Sequence, residues 1–554
     1  MPVTPTFPGI YIEEIQSSAH TITAAPTSIA VFVGYTHPFK TLQFGRPIRL
    51  FSFSDYERNF GGFFSNATFN DPDNFGSVAH AVNQFFLNGG SECYVVGLNV
   101  TALLGSPPSG LAASTVTVGG VVFTAREPID ADHEMSIRVD NLIPDGSSPP
   151  KDSTADITVI YGSGPGAKVE KFRQVSLDPG SVSKPNPNFI QTRIGTKAGA
   201  GKPANFVSSL VVVDADTTTF PTKFTVPSGK TFDQSDQDNN PMPDSPPAGS
   251  QIFGASDFTT VFGDNQPLDK VSIFNLLILP GITDNGILSE AARFCEKKMA
   301  FLIIDPPYVS SADNLPGEIN GKPTGAIENL LGDVPVEKNA ALYFPYLRST
   351  DPVTGDAIEL PPAGTVAGIF GRTDLNRGVW KAPAGLETSI LNSPGVAERG
   401  KMTDQQQGVL NALGVNCLRE FPGSGTVVFG ARTMVTNNPA LKDMWRYVPV
   451  RRMALFLEQT LYANLGWVVF EPNDEPLWAA IRTSIEAFML GLFRQGAFQG
   501  DTPSKAFQVK CDSQTTTQAD IDNGIVNIVV AFAPLKPAEF VIIKIAQLAG
   551  QTQT

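Results

Sequence analysis

Ile29-Ala30-Val31-Phe32-Val33-Gly34, followed at a distance by Cys93-Tyr94-Val95-Val96-Gly97-Leu98, are two apolar runs with no polar face. Between them Ser77 to Leu87 carries helical spacing and ends at Gly89-Gly90, so the three segments read as one βαβ unit. Strands that are apolar at every position must be covered on both faces, which implies a parallel sheet between two helical layers. The pattern resumes at Ile273-Phe274-Asn275-Leu276-Leu277-Ile278-Leu279, with a helix capped near Asp284 or Asn285 and then Ala300-Phe301-Leu302-Ile303-Ile304-Asp305. Ala340 to Leu347 is a further strand candidate. The stretch around Val366 to Phe370 suits a strand or a helix equally.

The segment between Leu98 and Ile273 has another character. Gly, Pro, Asp, Ser and Thr punctuate short strands at Thr115 to Phe123, Ile157 to Tyr161 and Leu210 to Val213, which predicts a β-rich insertion at 99–267. The sheet region then comprises 26–98 and 268–382, a doubly wound α/β domain. From 383 to 533 an α+β domain is expected, with a helix over Arg451 to Asn464 and a strand Trp467-Val468-Val469-Phe470. Asn473-Asp474-Glu475-Pro476 starts an amphipathic helix whose apolar face is Leu477, Ile481, Ile485, Phe488, Met489 and Leu492, with Gly496 as its stop. Strands Ala506 to Cys511 and Ile525 to Phe532 follow, joined by a tight turn at 520–524. Both chain ends are extended arms, at 1–25 and 534–554. Ile10-Tyr11-Ile12-Glu13-Glu14-Ile15 has no local partner, and Phe540-Val541-Ile542-Ile543-Lys544-Ile545 is apolar on both faces, a hazard if left unpaired.

Composition narrows the function. The 554 residues are 42% apolar and 17% charged, and 40 basic against 54 acidic side chains give a net charge of −14, opposite to a nucleic-acid binder. Apolar runs fall short of the ~20 residues of a membrane span, and the first residues lack the basic and apolar regions of a secretion signal, so folding in the cytoplasm is expected. Cys93, Cys295, Cys417 and Cys511 are far apart and mostly within apolar patterns, as reduced core thiols would be. Motifs for chemistry fail in turn. Gly195 to Lys202 resembles a phosphate loop, but its spacing is one residue off and Pro203 stands where a hydroxyl is needed. Asp520-Ile521-Asp522-Asn523-Gly524 lacks the remaining ligands of a calcium loop. The four His (His20, His37, His80, His133) make no zinc spacing, and there is no nucleophile elbow. Asp305, at a strand end, reads as a turn-forming residue, and His80 as a helix-surface or core histidine. No catalytic, cofactor or metal site is expected.

With chemistry set aside, several separated motifs carry a resemblance. Pro8-Gly9-Ile10-Tyr11-Ile12-Glu13-Glu14 resembles the opening of contractile tail sheath proteins, and Phe470-Glu471-Pro472-Asn473-Asp474-Glu475-Pro476-Leu477-Trp478 resembles a segment of the same family. Gly491 to Ala497, Asp520 to Asn527 and Ala533 to Val541 are similar to its closing strand and arm. The resemblance implies a structural subunit of a phage tail or tail-like injection machine, stacked with copies of itself around an inner tube, with a baseplate and a terminator or cap protein as further partners. It implies that Ile10, Tyr11, Ile12 and Ile15, together with Phe540, Val541, Ile542, Ile543 and Ile545, join neighbouring subunits at the strand bearing Ile525, Ile528 and Val530. The 383–533 domain would face the tube and the insertion would point outward. Arg482 and Glu486, on the polar face of the Leu477 to Phe493 helix, would touch tube or subunit, or simply be solvated. The machine would be assembled in the bacterial cytoplasm and act as a released or extracellular particle. It needs no cofactor, nucleic acid or membrane insertion, because contraction draws on a metastable helical packing worth a few kcal/mol per subunit. The alternative, of another class, is an α/β hydrolase or transferase.

Overall fold

The computed structural model describes residues 20–37, 41–63, 78–98, 255–307, 338–352, 357–437 and 442–544, and most of 114–242. At its centre is an eight-stranded sheet. In chain order its strands are β1 (Ala30–Tyr35), β2 (Pro47–Leu50), β3 (Cys93–Leu98), β4 (Leu276–Ile278), β5 (Phe301–Ile304), β6 (Ala340–Phe344), β7 (Val415–Phe421) and β8 (Gly425–Phe429). Their spatial order is β2-β3-β1-β4-β5-β6-β7-β8. The six inner strands run parallel, and β2 and β8 close the edges antiparallel. Alternate side chains feed two cores, as the period of two dictates. Val31, Val33, Leu277, Leu302 and Leu342 enter one, and Ala30, Phe32, Ile278, Ile303 and Tyr343 the other.

The helices on these faces follow from the sequence. α1 (Val78–Leu87) and α3 (Ala363–Arg377) cover one side, and α2 (Asn285–Lys298) the other. Asp284 caps α2 by accepting from the Ile287 amide at 2.9 Å. The ambiguous 366–370 stretch is helical, inside α3, and the signal lies in its small residues. A Cβ at Gly364 would sit 2.5 Å from the Ala81 carbonyl oxygen, and one at Gly368 the same distance from that of Phe85, so the i, i+4 glycines let α3 press onto α1.

The expected boundary at 383 does not hold. β7 and β8 belong to the central sheet, with β7 beside β6, so the sheet runs on to Phe429 past α4 (Asp404–Ala412). The signal missed was Val415 to Leu418, a strand that pairs with residues some seventy positions earlier. The insertion has its own core of Phe123, Ile137, Ile157, Val159 and Val211 between a five-stranded and a four-stranded sheet. The single strand expected over Thr115 to Phe123 is a hairpin, Thr115–Val118 and Val121–Ala125, because Gly119 and Gly120 both take positive φ.

The C-terminal part packs around α5 (Val448–Asn464) and α6 (Glu475–Arg494). Leu477, Trp478, Ile481, Ile485, Met489 and Leu492 of α6 meet Met453, Phe456 and Leu457 of α5, and Asp474 is the N-cap. The strand expected at Trp467 to Phe470 is instead one turn of 3-10 helix, Gly466–Val468, after which Phe470 reverses the chain at φ 72°. Its β-branched residues lose to the tight α5–α6 connection, which turns Trp467 and Val468 onto the core.

α5 also fastens this unit to the central sheet. Arg452 and Asp374, each side chain 3% exposed, form a bidentate pair at 2.6 and 2.9 Å. Gln459 donates to the Phe274 carbonyl and accepts from Asn275, at 2.9 and 2.7 Å. The 20–26 segment lies along the same helix: Asn464 exchanges two hydrogen bonds with the Thr23 backbone, and His20 stacks on Trp467 with ring centroids 3.8 Å apart.

Candidate assembly surface

Strands β9 (Phe507–Lys510) and β10 (Val529–Phe532) pair antiparallel, Phe507 opposite Phe532 and Lys510 opposite Val529. The 525–532 strand is thus shorter than expected. Residues 525–528 are tied by side chains: Asn473 donates to the Ile525 carbonyl, and the Asn527 amide donates to Thr516. The tight turn expected at 520–524 is a short helix, Gln518–Asp522, because Thr517 and Asp520 form a capping box. Among the described residues this sheet has two strands, and both outer edges lack a ladder partner. Two strands alone are marginal in water. Ile528, Val530 and Phe532 lean on the C-terminal core, whereas Ile525 and Val529 are about half exposed.

Beyond β10 the chain is held as far as Glu539 and then released. The Gln499 amide donates to the Ala533 carbonyl, and Phe498 bridges Pro534. Glu539 meets Arg432, and Phe540, Val541, Ile542 and Ile543 then stand 74%, 82%, 81% and 79% exposed without regular structure. Four adjacent large apolar side chains in water form a surface that calls for a partner. Ile10, Tyr11, Ile12, Ile15 and Ile545 lie outside the described residues. A cleft of about 930 Å³ opens beside this strap, walled by Trp380, Phe429, Pro449, Leu535 and Phe540.

Arg482 and Glu486 are not equivalent. Arg482 pairs with Glu475 at 2.7 Å and donates to the Cys511 carbonyl, so it holds the end of β9 against α6. Glu486 is exposed. Arg432, Glu539 and Tyr447 had no role in the sequence pattern, and Asn473 had one only at a helix start. Glu539 had a signal, being the one acid between Phe532 and Ile543.

The positions tested for chemistry are structural. Asp305 is fully buried; its carboxylate accepts from the Gly281 amide at 3.0 Å and the Ala363 amide at 2.7 Å, clasping the start of α3 rather than forming a turn. Burial pushes its carboxyl up to about 7. His80 is buried against Phe63, and burial lowers its pKa. Gly195 starts a two-residue strand and Lys197 pairs with Asp214, while the rest of that loop lies outside the described residues. The four cysteines are free and buried. Among the described residues no three His, Cys, Asp or Glu gather as metal ligands, and no helix is long and apolar enough to cross a membrane.

Two sequence models match this architecture in tandem: a phage tail sheath protein central domain over residues 270–434 and a phage tail sheath C-terminal domain over 442–547. Over these two stretches the chain is similar to phage tail sheath proteins. The tail sheath protein of Vibrio phage KVP40 is 27% identical over 183 residues, 32% of this chain and 25% of that protein. That of Burkholderia phage BcepMu is 26% identical over 232 residues, 41% of this chain and 46% of that protein. The chain thus spans about a quarter and about half of the length of these relatives. Among solved structures, the PVC sheath complex of an extracellular contractile injection system, in its contracted state, aligns over 99% of both chains with a TM-score of 0.54 and 21% identity. The contracted helical sheath of the anti-feeding prophage aligns over 98% of this chain and all of that one, with a TM-score of 0.54 and 22% identity. At that identity the likeness is one of fold. The gap between the two family matches, 435–441, lies just past the last strand of the central sheet.

Proposed function

We propose that this chain is the structural subunit of a contractile sheath, stacking around an inner tube and shortening to drive that tube forward. The observation that carries the reading is the pairing of an incomplete two-stranded sheet with an exposed apolar run on the same chain. Each copy has open strand edges at β9 and β10 and an arm at Phe540 to Ile543 able to fill the edge of another. In this reading the N-terminal residues Ile10, Tyr11, Ile12 and Ile15 add a further strand, and an end-to-end lattice results from head-to-tail contacts. A baseplate and a cap protein terminate the stack. The β-rich insertion points away from the tube, and Glu486 is the freer of the two α6 residues for a contact with tube or neighbour.

The mechanics follow from what is stiff and what is not. The α5 contacts with the sheet, Arg452 with Asp374 and Gln459 with Asn275, support movement of the subunit as one body. Contraction then repacks whole subunits between two arrangements while the arms keep the mesh connected. No reaction is needed for the stroke. The hydrolase or transferase alternative finds no support at the strand ends, where Asp305 is sealed by two backbone amides.

The test is electron microscopy of the purified chain with and without its tube protein. Long tubes are expected from the full chain, and discrete monomers with unchanged thermal unfolding from a chain ending at Glu539. Sheaths of normal length from that truncation would overturn the strand-exchange reading.

A further inference from the structure

We infer that Arg432 and Glu539 form the root of the C-terminal arm, fixing where the rigid subunit ends and in which direction Phe540 to Ile543 leave it. The inference rests on the sheath reading and adds to it a positioning residue. The geometry is that of a built anchor. Arg432 is 8% exposed, and its guanidinium meets Glu539 through three contacts, Nε to Oε1 at 2.9 Å, Nε to Oε2 at 3.2 Å and Nη2 to Oε2 at 2.5 Å. Such a fork fixes direction as well as distance. Nη1 donates to the Asn411 carbonyl at 2.6 Å, so the guanidinium is also tied to α4. Tyr447 adds its hydroxyl to Glu539 at 3.4 Å, and the Lys536 ammonium donates to the Asp443 carbonyl at 3.4 Å.

The backbone of Arg432 is held as firmly. Buried Asn416 on β7 accepts from its amide at 2.7 Å and donates to its carbonyl at 2.8 Å. On the other side, the flanking residues pair with 446–448. The strap from Pro534 to Glu539 is therefore stretched between β10, in the C-terminal part, and a residue fixed to the central sheet. Past Glu539 exposure rises at once to 74% at Phe540. A lever that starts at a fixed point searches a smaller volume for its partner edge than a tail loose from Pro534, and this raises its effective concentration there.

Glu539 lies on the strap and not within the packed cores, so Glu539→Ala lowers stability by stranding the Arg432 charge but leaves those cores intact. The experiment places spin labels at Ala538→Cys and Gly408→Cys and measures the interspin distance distribution of the unassembled subunit, alongside sheath yield by sedimentation and microscopy for the unlabelled proteins. A narrow distribution is expected for the parent and at least a twofold broader one for Glu539→Ala and for Arg432→Lys, with sheath yield reduced at least tenfold while each variant still unfolds in one cooperative transition. The double variant should lose no more yield than either single variant, as for two residues acting as one unit. Unchanged widths, or additive losses, would overturn the inference. A parent chain that forms no sheath would instead sink the proposed function, so the two failures are distinguishable.

Discussion

Replacing Val541 and Ile543 together by alanine tests strand exchange at its energetic source. The substitutions remove five methyl or methylene groups, worth about 4 kcal/mol at about 0.8 each if fully transferred from water. In the single subunit these side chains are 82% and 79% exposed, so roughly four-fifths of that, about 3 kcal/mol, is available only when another copy covers them. At about 1.4 kcal/mol per tenfold, the concentration needed for assembly should rise about a hundredfold. Sedimentation of assembled protein against total protein measures that threshold directly. The same exposure predicts that monomer stability does not move, because surface positions without contacts change stability by less than about 0.5 kcal/mol. An unchanged threshold, or a destabilised monomer, would refute the reasoning, the first by showing that the arm is not covered on assembly and the second that it packs on its own chain.

Three further outcomes are expected. Asp305 has a carboxyl raised to about 7 by burial, so the folded chain binds its proton more tightly than the unfolded one; stability from this site is fully present below about pH 4 and falls as pH rises through 7. Urea titrations should show the parent losing stability relative to Asp305→Asn as pH rises from 4 to 7, and a difference that stays flat with pH would contradict it. Asp374→Ala strands the Arg452 charge between α5 and the central sheet and should cost about 3–5 kcal/mol in chemical unfolding; a loss under about 1 kcal/mol would mean that water reaches the pair. Arg482→Ala removes a hydrogen bond to the Cys511 carbonyl and should cost about 1–2 kcal/mol, against less than about 0.5 for Glu486→Ala; equal, small shifts in the denaturant midpoints would show that the α6 polar face is uniformly solvated.

The parts legible in the sequence are those governed by local pattern. Apolar runs without a polar face announced β1, β3, β4 and β5, because a strand buried on both sides has no room for alternation. Asp284 and Asp474 marked two helix starts, since a cap acts on amides only one to three residues away. The greasy C-terminal run at Phe540 to Ile543 was readable for the same reason. What the tertiary structure alone decided involves residues far apart in the chain. β7 joins the sheet beside β6, so the sheet runs on past 383 to Phe429. The 366–370 stretch is helical because Gly364 and Gly368 meet the α1 backbone. Trp467 to Phe470 turns where its propensity favours a strand, since α5 and α6 must be joined tightly. Arg432 finds Glu539 across 107 positions, Arg452 finds Asp374 across 78, and Asp305 reaches the amide of Ala363. Such pairings depend on which surfaces the folded layers bring together, and a window of neighbouring residues holds no record of that. Local hydrogen bonding and hydrophobic period thus set the elements and the loose ends, while packing between distant segments set the extent of the central sheet, the clasp at the head of α3 and the point where the arm begins.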